Sequence, residues 1–187
     1  MSVGGITAGD NNIIKNCINY GNVKGEYYAG GISSGHGNNP STIINCINYG
    51  NIESKNGGTG GIIGKNATSI ENCINLGKIK GIQYVGGISG NVEGGTIKNC
   101  INFTAIEPLN WSCDIIAYSK VKNFQKCYYN SDNVKKGMEI DKNLIDIKGK
   151  SMNEIVNLLN SYTDETGKYP SEWKKWKIGE DGYPTFK

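Results

Sequence analysis

The sequence predicts an all-β chain wound as a parallel β-solenoid of four to five coils, with a small C-terminal helical cap. Three observations carry this. A pair of motifs recurs about every 27 residues, the β-rich stretches between turns are very short, and apolar residues make up only 37% of a chain holding 27 glycines. A compact core needs more apolar material than that. Stacked coils need less, because each buries a thin inner ladder while Gly and Asn take the corners.

The first motif is a double glycine followed by isoleucine: Gly4-Gly5-Ile6, Gly30-Gly31-Ile32, Gly60-Gly61-Ile62 and Gly86-Gly87-Ile88, with a decayed copy at Cys113-Asp114-Ile115. The second is Asn16-Cys17-Ile18-Asn19, repeated at Asn45-Cys46-Ile47-Asn48, Asn72-Cys73-Ile74-Asn75 and Asn99-Cys100-Ile101-Asn102, then degenerating to Lys126-Cys127-Tyr128-Tyr129-Asn130. The cysteines at 17, 46, 73, 100 and 127 step by 29, 27, 27 and 27, so the insertions are early. No stretch before residue 150 places apolar residues at i, i+3, i+4 and i+7 over three turns, which excludes helical repeats. Three short strands with corners fit in such a unit, and coils stacked about 4.8 Å apart would extend roughly 24 Å.

Asparagine before each cysteine suits a left-handed corner, where its amide also reaches the same residue of the next coil. With a corner at Asn16 and its equivalents, Cys17 and Asn19 face inward while Ile18 and Tyr20 face outward. Without one, strict alternation buries Ile14, Asn16, Ile18 and Tyr20 and exposes the cysteines. Buried thiols favour the first register, and the exposed isoleucine column it implies argues against it.

The net charge of +3 sits in the tail: residues 1–119 carry seven Lys and seven acids, residues 120–187 carry 13 Lys and 10 acids. There is no arginine and no basic cluster, which excludes a nucleic-acid face. No run approaches the roughly 20 apolar residues of a membrane span, so no membrane insertion is expected. The opening residues lack a secretory signal and start inside a repeat without a polar cap, so the chain reads as a fragment of a larger one.

The shared pattern, Gly-Gly-Ile followed by Ile-x-Asn-Cys-x-Asn-x-Gly-x-Ile/Val-x-Gly, resembles the GLUG-motif repeats of bacterial surface proteins, which also occur attached to immunoglobulin A metallopeptidases. It covers about residues 3–107, with a decayed copy to about 130. The ending, with Trp176 and Asp181-Gly182-Tyr183-Pro184, is similar to segments that close such arrays. The resemblance implies an extracellular, cell-surface location and no activity of its own.

No catalytic, metal-binding or cofactor-binding constellation stands above the repeat. The one histidine, His36, lies in a glycine loop, and a zinc peptidase needs His-Glu-x-x-His. The five spaced cysteines share one structural position and read as stacked free thiols, with Cys113 out of register. The acids Asp10, Glu26, Glu53, Glu71, Glu93, Glu107 and Asp114 are spread about one per coil; only Glu26 and Glu53 take similar positions, the one place a glycosidase pair could form. Asn66, Asn102 and Asn110 match the glycosylation acceptor pattern by chance. The column Tyr20, Tyr49, Leu76 and Phe103 is the possible binding face, for a host or bacterial glycan or a protein. These features point to a non-catalytic repeat segment for adhesion, display or spacing, with a carbohydrate-binding module as alternative and a glycan-active hydrolase below it.

Residues 1–130 form the repeat domain and 131–187 a capping segment. In the latter, Ser151 and Glu154 read as a capping box opening a helix through about Ser161, with Met152, Ile155, Leu158 and Leu159 on its apolar face. This helix, with Trp173, Trp176 and Tyr183, is expected to plug the last coil, whose strand edges need cover.

Overall fold

A computed structural model describes residues 1–35, 39–65, 67–92, 94–108, 112–113, 116–119, 124–133 and 143–187. His36, Asn66, Glu93, Asn110 and Asp114 lie outside the described residues, as do the side chains of Glu107 and Cys113.

The chain is a parallel β-solenoid. Its third coil runs through five short strands: Thr59–Gly60, Ile63–Lys65, Ala67–Glu71, Ile74–Asn75 and Ile79–Gly81. Each pairs in parallel with its equivalents above and below, so Ile18, Ile47, Ile74, Ile101 and Tyr128 stand in one register. The expectation of three strands per coil is corrected to five, since glycine and asparagine break each coil into strands of two to five residues.

The corner is as the asparagines suggest: Asn16, Asn45, Asn72 and Asn99 have φ of 59°, 52°, 52° and 49°. This left-handed residue resets strand alternation, so Ile14 and Cys17, three apart, both point inward. Cys46, Cys73, Cys100 and Cys127 are fully buried with Ile43, Ile70 and Ile97 in the interior. Of the outward isoleucines, Ile47, Ile74 and Ile101 are buried as well and Ile18 is half-buried, because the tail lies over them.

Residues Ile145–Asp146 add a rung to Tyr128–Tyr129 at the last coil. Helix α1, Met152–Asn160, then follows, with Ser151 Oγ accepting from Glu154 N–H and Ser151 N–H donating to the Glu154 carboxylate. Its Ile155, Val156 and Leu159, together with Ile147 and Trp176, cover Ile47, Ile74, Ile101 and Tyr128. The segment after α1 returns toward the first coil along the asparagine corner: Asn99 donates to Leu159 O at 3.0 Å, Asn72 to Lys174 O at 2.9 Å and Asn45 to Glu172 O at 2.8 Å, while Glu172 pairs with Lys15. The tail therefore meets the last coil through its first rung and through Leu158 and Tyr162, and continues as a strap along the flank. The reason is the outward isoleucine column, where covering each side chain contributes about 1.5–3 kcal/mol.

Two asparagine ladders run through the stack. At the corner, Asn45 donates to Asn16, Asn72 to Asn45 and Asn99 to Asn72, at 2.7–3.0 Å. Inside, Asn19 donates to Asn48, Asn48 to Asn75 and Asn75 to Asn102, each at 2.8 Å, and each also donates to the carbonyl of the residue two later, as Asn48 does to Gly50. The inner ladder explains the double glycine. A Cβ on Gly31 or Gly61 would collide with the Asn48 or Asn75 carboxamide across the coil and with the next coil's backbone.

The corner ladder ends at Lys126, which holds φ of 48° where the other coils have Asn; Asn99 Oδ1 is buried and accepts nothing among the described residues. Lys126→Asn is expected to extend the ladder and stabilise the chain by about 1 kcal/mol, from one new hydrogen bond and a residue suited to the left-handed region. Chemical denaturation checks it; an unchanged or lower midpoint would contradict the ladder's role.

Candidate binding face

Beyond the corner, outward and inward positions alternate again, and three outward columns run side by side. The first is Tyr20, Tyr49, Leu76 and Phe103. The second is Asn22, Asn51 and Lys78, and the third Lys24, Glu53 and Lys80, with Glu107 next in register.

The four proposed face residues do not share one fate. Tyr20 is 71% exposed and stacks on Tyr49, ring centroids 5.0 Å apart and planes 14° apart. Tyr49 is half-buried, and burial together with the neighbouring Asp181 carboxylate pushes the phenol above its usual range. Leu76 and Phe103 are half-buried against the isoleucine cluster, and Phe103 meets the edge of Tyr183 at 5.7 Å. The hairpin of Trp176–Ile178 and Pro184–Phe186 carries Asp181 and Tyr183 on its turn, so the tail meets the column at Tyr49 and Phe103 and leaves Tyr20 exposed.

Sequence reasoning missed the second column. Asn51 N–H donates to Asn22 Oδ1 at 2.9 Å and Lys78 N–H to Asn51 Oδ1 at 3.0 Å, so both carboxamides are fixed by the next coil. The signal was present: Tyr-Gly-Asn recurs at 20–22 and 49–51, two residues apart and thus on one side of an extended chain.

The register also corrects the pairing of Glu26 with Glu53. Lys24 is the residue opposite Glu53, and their side chains meet at 3.0 Å. The Lys24 ammonium, helped by Lys80 and Lys55, holds the Glu53 carboxyl below its usual range, so it stays ionised and is no proton donor near neutral pH. Glu71 accepts from Ser69 Oγ at 2.6 Å and from Trp173 Nε1 at 2.9 Å, which fixes the strap. Among the described residues, no group of three or more His, Cys, Asp or Glu is placed to hold a metal ion.

The ladder thiols are free, and each donates to a backbone carbonyl, as Cys73 does to Glu71 O at 3.1 Å and Cys100 to Lys98 O at 3.2 Å. Burial and the neighbouring Cys127 push the Cys100 thiol up, away from the reactive thiolate. Cys17, half-exposed in the first coil, is the accessible end. In the folded protein, iodoacetamide is expected to modify Cys17 and to spare Cys46, Cys73, Cys100 and Cys127 until denaturant is added. Peptide mapping that finds native modification at Cys73 or Cys100, or disulfides among the five, would contradict this.

No family model matches the sequence, and no curated protein does. Among solved structures, the fold is similar to that of a candidate immunoglobulin A1 protease from Bacteroides ovatus, with a TM-score of 0.71 and 22% sequence identity. The match covers 100% of this chain and 63% of that one, so the chain spans less than two thirds of its neighbour's length.

Proposed function

We propose that the chain is a non-catalytic repeat segment of a bacterial surface protein, of the GLUG kind, that spaces or displays other units and adheres through its outward columns. The observation that carries this reading is where the repeat spends its polar groups. The recurring asparagines and thiols satisfy one another or the backbone from coil to coil, so what the repeat specifies is length and a regular flank. The fold shared with a larger bacterial protein supports a role as part of a longer surface chain.

A second reading, carbohydrate binding, is favoured by Tyr20, which is 71% exposed and stacks on the half-buried Tyr49.

The test is to incubate the purified chain with mucin, immunoglobulin A and bacterial polysaccharides, following retention and cleavage together. Retention of a glycan or glycoprotein without fragments or new reducing ends is expected. Time-dependent cleavage abolished by Glu53→Gln or Glu26→Gln would overturn the non-catalytic reading.

A further inference from the structure

We propose that neighbouring thiols of the interior cysteine ladder form two-coordinate sites for a soft divalent cation of the mercury(II) class, one ion bridging Cys46 to Cys73 and a second bridging Cys100 to Cys127. The proposal stands apart from both readings above.

The first support is distance. All four thiols take the same posture: each donates to the carbonyl two residues before it, of Ile44, Glu71, Lys98 or Gln125, at 3.1–3.8 Å. Each also lies beside a carbonyl of the preceding coil, of Ile14, Ile43, Ile70 or Ile97. Side chains held alike on a parallel stack are separated by the stacking distance, about 4.8 Å. That is well beyond the roughly 2.05 Å of a disulfide bond, and the ladder thiols are free. It is close to twice a metal–thiolate bond of about 2.3 Å. An ion midway between two coils therefore fits a straight sulfur–metal–sulfur bridge.

The second support is the surroundings. Ile43, Ile70 and Ile97 pack around the column and all four thiols are fully buried, an interior that disfavours net charge. A divalent ion that displaces both S–H protons to solvent leaves a neutral dithiolate, whereas a monovalent ion doing the same leaves a buried negative charge. Zinc is divalent but takes four ligands in a tetrahedron, and a straight column offers two sulfurs to any point between coils. What fits is a soft cation satisfied by two thiolates.

The third support is what the bridge leaves undisturbed. Each carbonyl that accepts from a thiol also accepts a backbone N–H from the coil before, as Glu71 O does from Asn45 and Lys98 O from Asn72, so losing the thiol proton leaves none unpaired. In the unfolded chain the paired cysteines are 27 residues apart, and an ion joining them must close that loop. The solenoid has already placed them side by side, so the ion favours the folded state.

A chain carrying Cys17→Ala and Cys113→Ala keeps the four interior thiols; refolded with mercuric chloride, it should retain two ions by native mass spectrometry and melt at a higher temperature than without the ion. Two derivatives test adjacency with the same number of thiols. Adding Cys46→Ala and Cys73→Ala leaves the neighbours Cys100 and Cys127, while adding Cys73→Ala and Cys127→Ala leaves Cys46 and Cys100, two coils apart. The neighbours should hold mercury(II) about a hundredfold more tightly than the separated pair, and zinc(II) should be retained by neither. Equal affinities overturn the bridge. So does the absence of a retained ion in the four-thiol chain, or a melting temperature lowered by it, and that shift decides the matter if a two-thiol derivative fails to fold.

Discussion

Trp176→Ala should cost about 3–5 kcal/mol, the range for emptying a buried aromatic site, and lower the melting temperature by roughly 10 °C for a chain of this size. Trp176 is fully buried, packs against Phe186 at 4.7 Å between ring centroids, and donates its indole N–H to Asn72 Oδ1 at 2.6 Å. Two losses therefore coincide: the volume over Ile47, Ile74 and Ile101, and the donor to a corner asparagine. Trp176→Phe keeps most of the volume and loses the donor, so it should fall between wild type and Trp176→Ala. Thermal melts of the three proteins check the order. An effect below about 1 kcal/mol, the level of an ordinary surface change, would show that the strap does not hold the flank.

Gly61→Ala should be comparably damaging, at about 3 kcal/mol or more, the upper end of what overpacking does. The added Cβ would lie 2.6 Å from Asn75 Oδ1 and still closer to Asn75 Cγ and Gly87 O. Relief would require moving either the inner asparagine out of its ladder or the next coil off its stacking distance, and a periodic stack transmits such a shift to its neighbours. Gly94→Ala, where nothing stands within 4 Å of the new atom, is the control and should change stability by no more than about 0.5 kcal/mol. Equal midpoints for the two variants in urea would contradict the packing argument.

The pattern of these effects marks what was legible in the sequence. The left-handed corners could be read from the asparagines alone, since a short polar side chain tolerates that backbone region and recurs there in four coils. The helix and its capping box were equally local. Gly61 and Asn75 could be read as landmarks but not as partners. They are 14 residues apart and meet only because the coil closes on itself, so each looked like a separate motif.

Tertiary route explains the other differences. Both registers weighed from the sequence left one ladder exposed, thiol or isoleucine, and the structure buries both by laying the strap over the isoleucines. Nothing in the spacing of Ile18, Ile47, Ile74 and Ile101 says that residues 145–186 will cover them. The same strap divides the aromatic column, half-burying Tyr49, Leu76 and Phe103 and leaving Tyr20 exposed. Glu26 and Glu53 looked equivalent because each follows an Asn-Val or Asn-Ile strand. The pairing of Val23 with Ile52 fixes Lys24 opposite Glu53 and leaves Glu26 beyond the ladder.

The central claim is that the asparagine corner sends cysteine into the solenoid and isoleucine out under the strap, and thiol labelling of adjacent positions tests it most directly. Ile74→Cys places a second thiol beside Cys73, on the opposite side of the strand. In the full chain both should resist alkylation in the folded state, Cys73 inside the coil and the introduced thiol beneath Trp176 and α1. The same substitution in a chain ending at Asp146 removes the strap and keeps the added rung. The account predicts that the introduced thiol then reacts while Cys73 stays protected; modification of Cys73 with protection of the introduced thiol would contradict it.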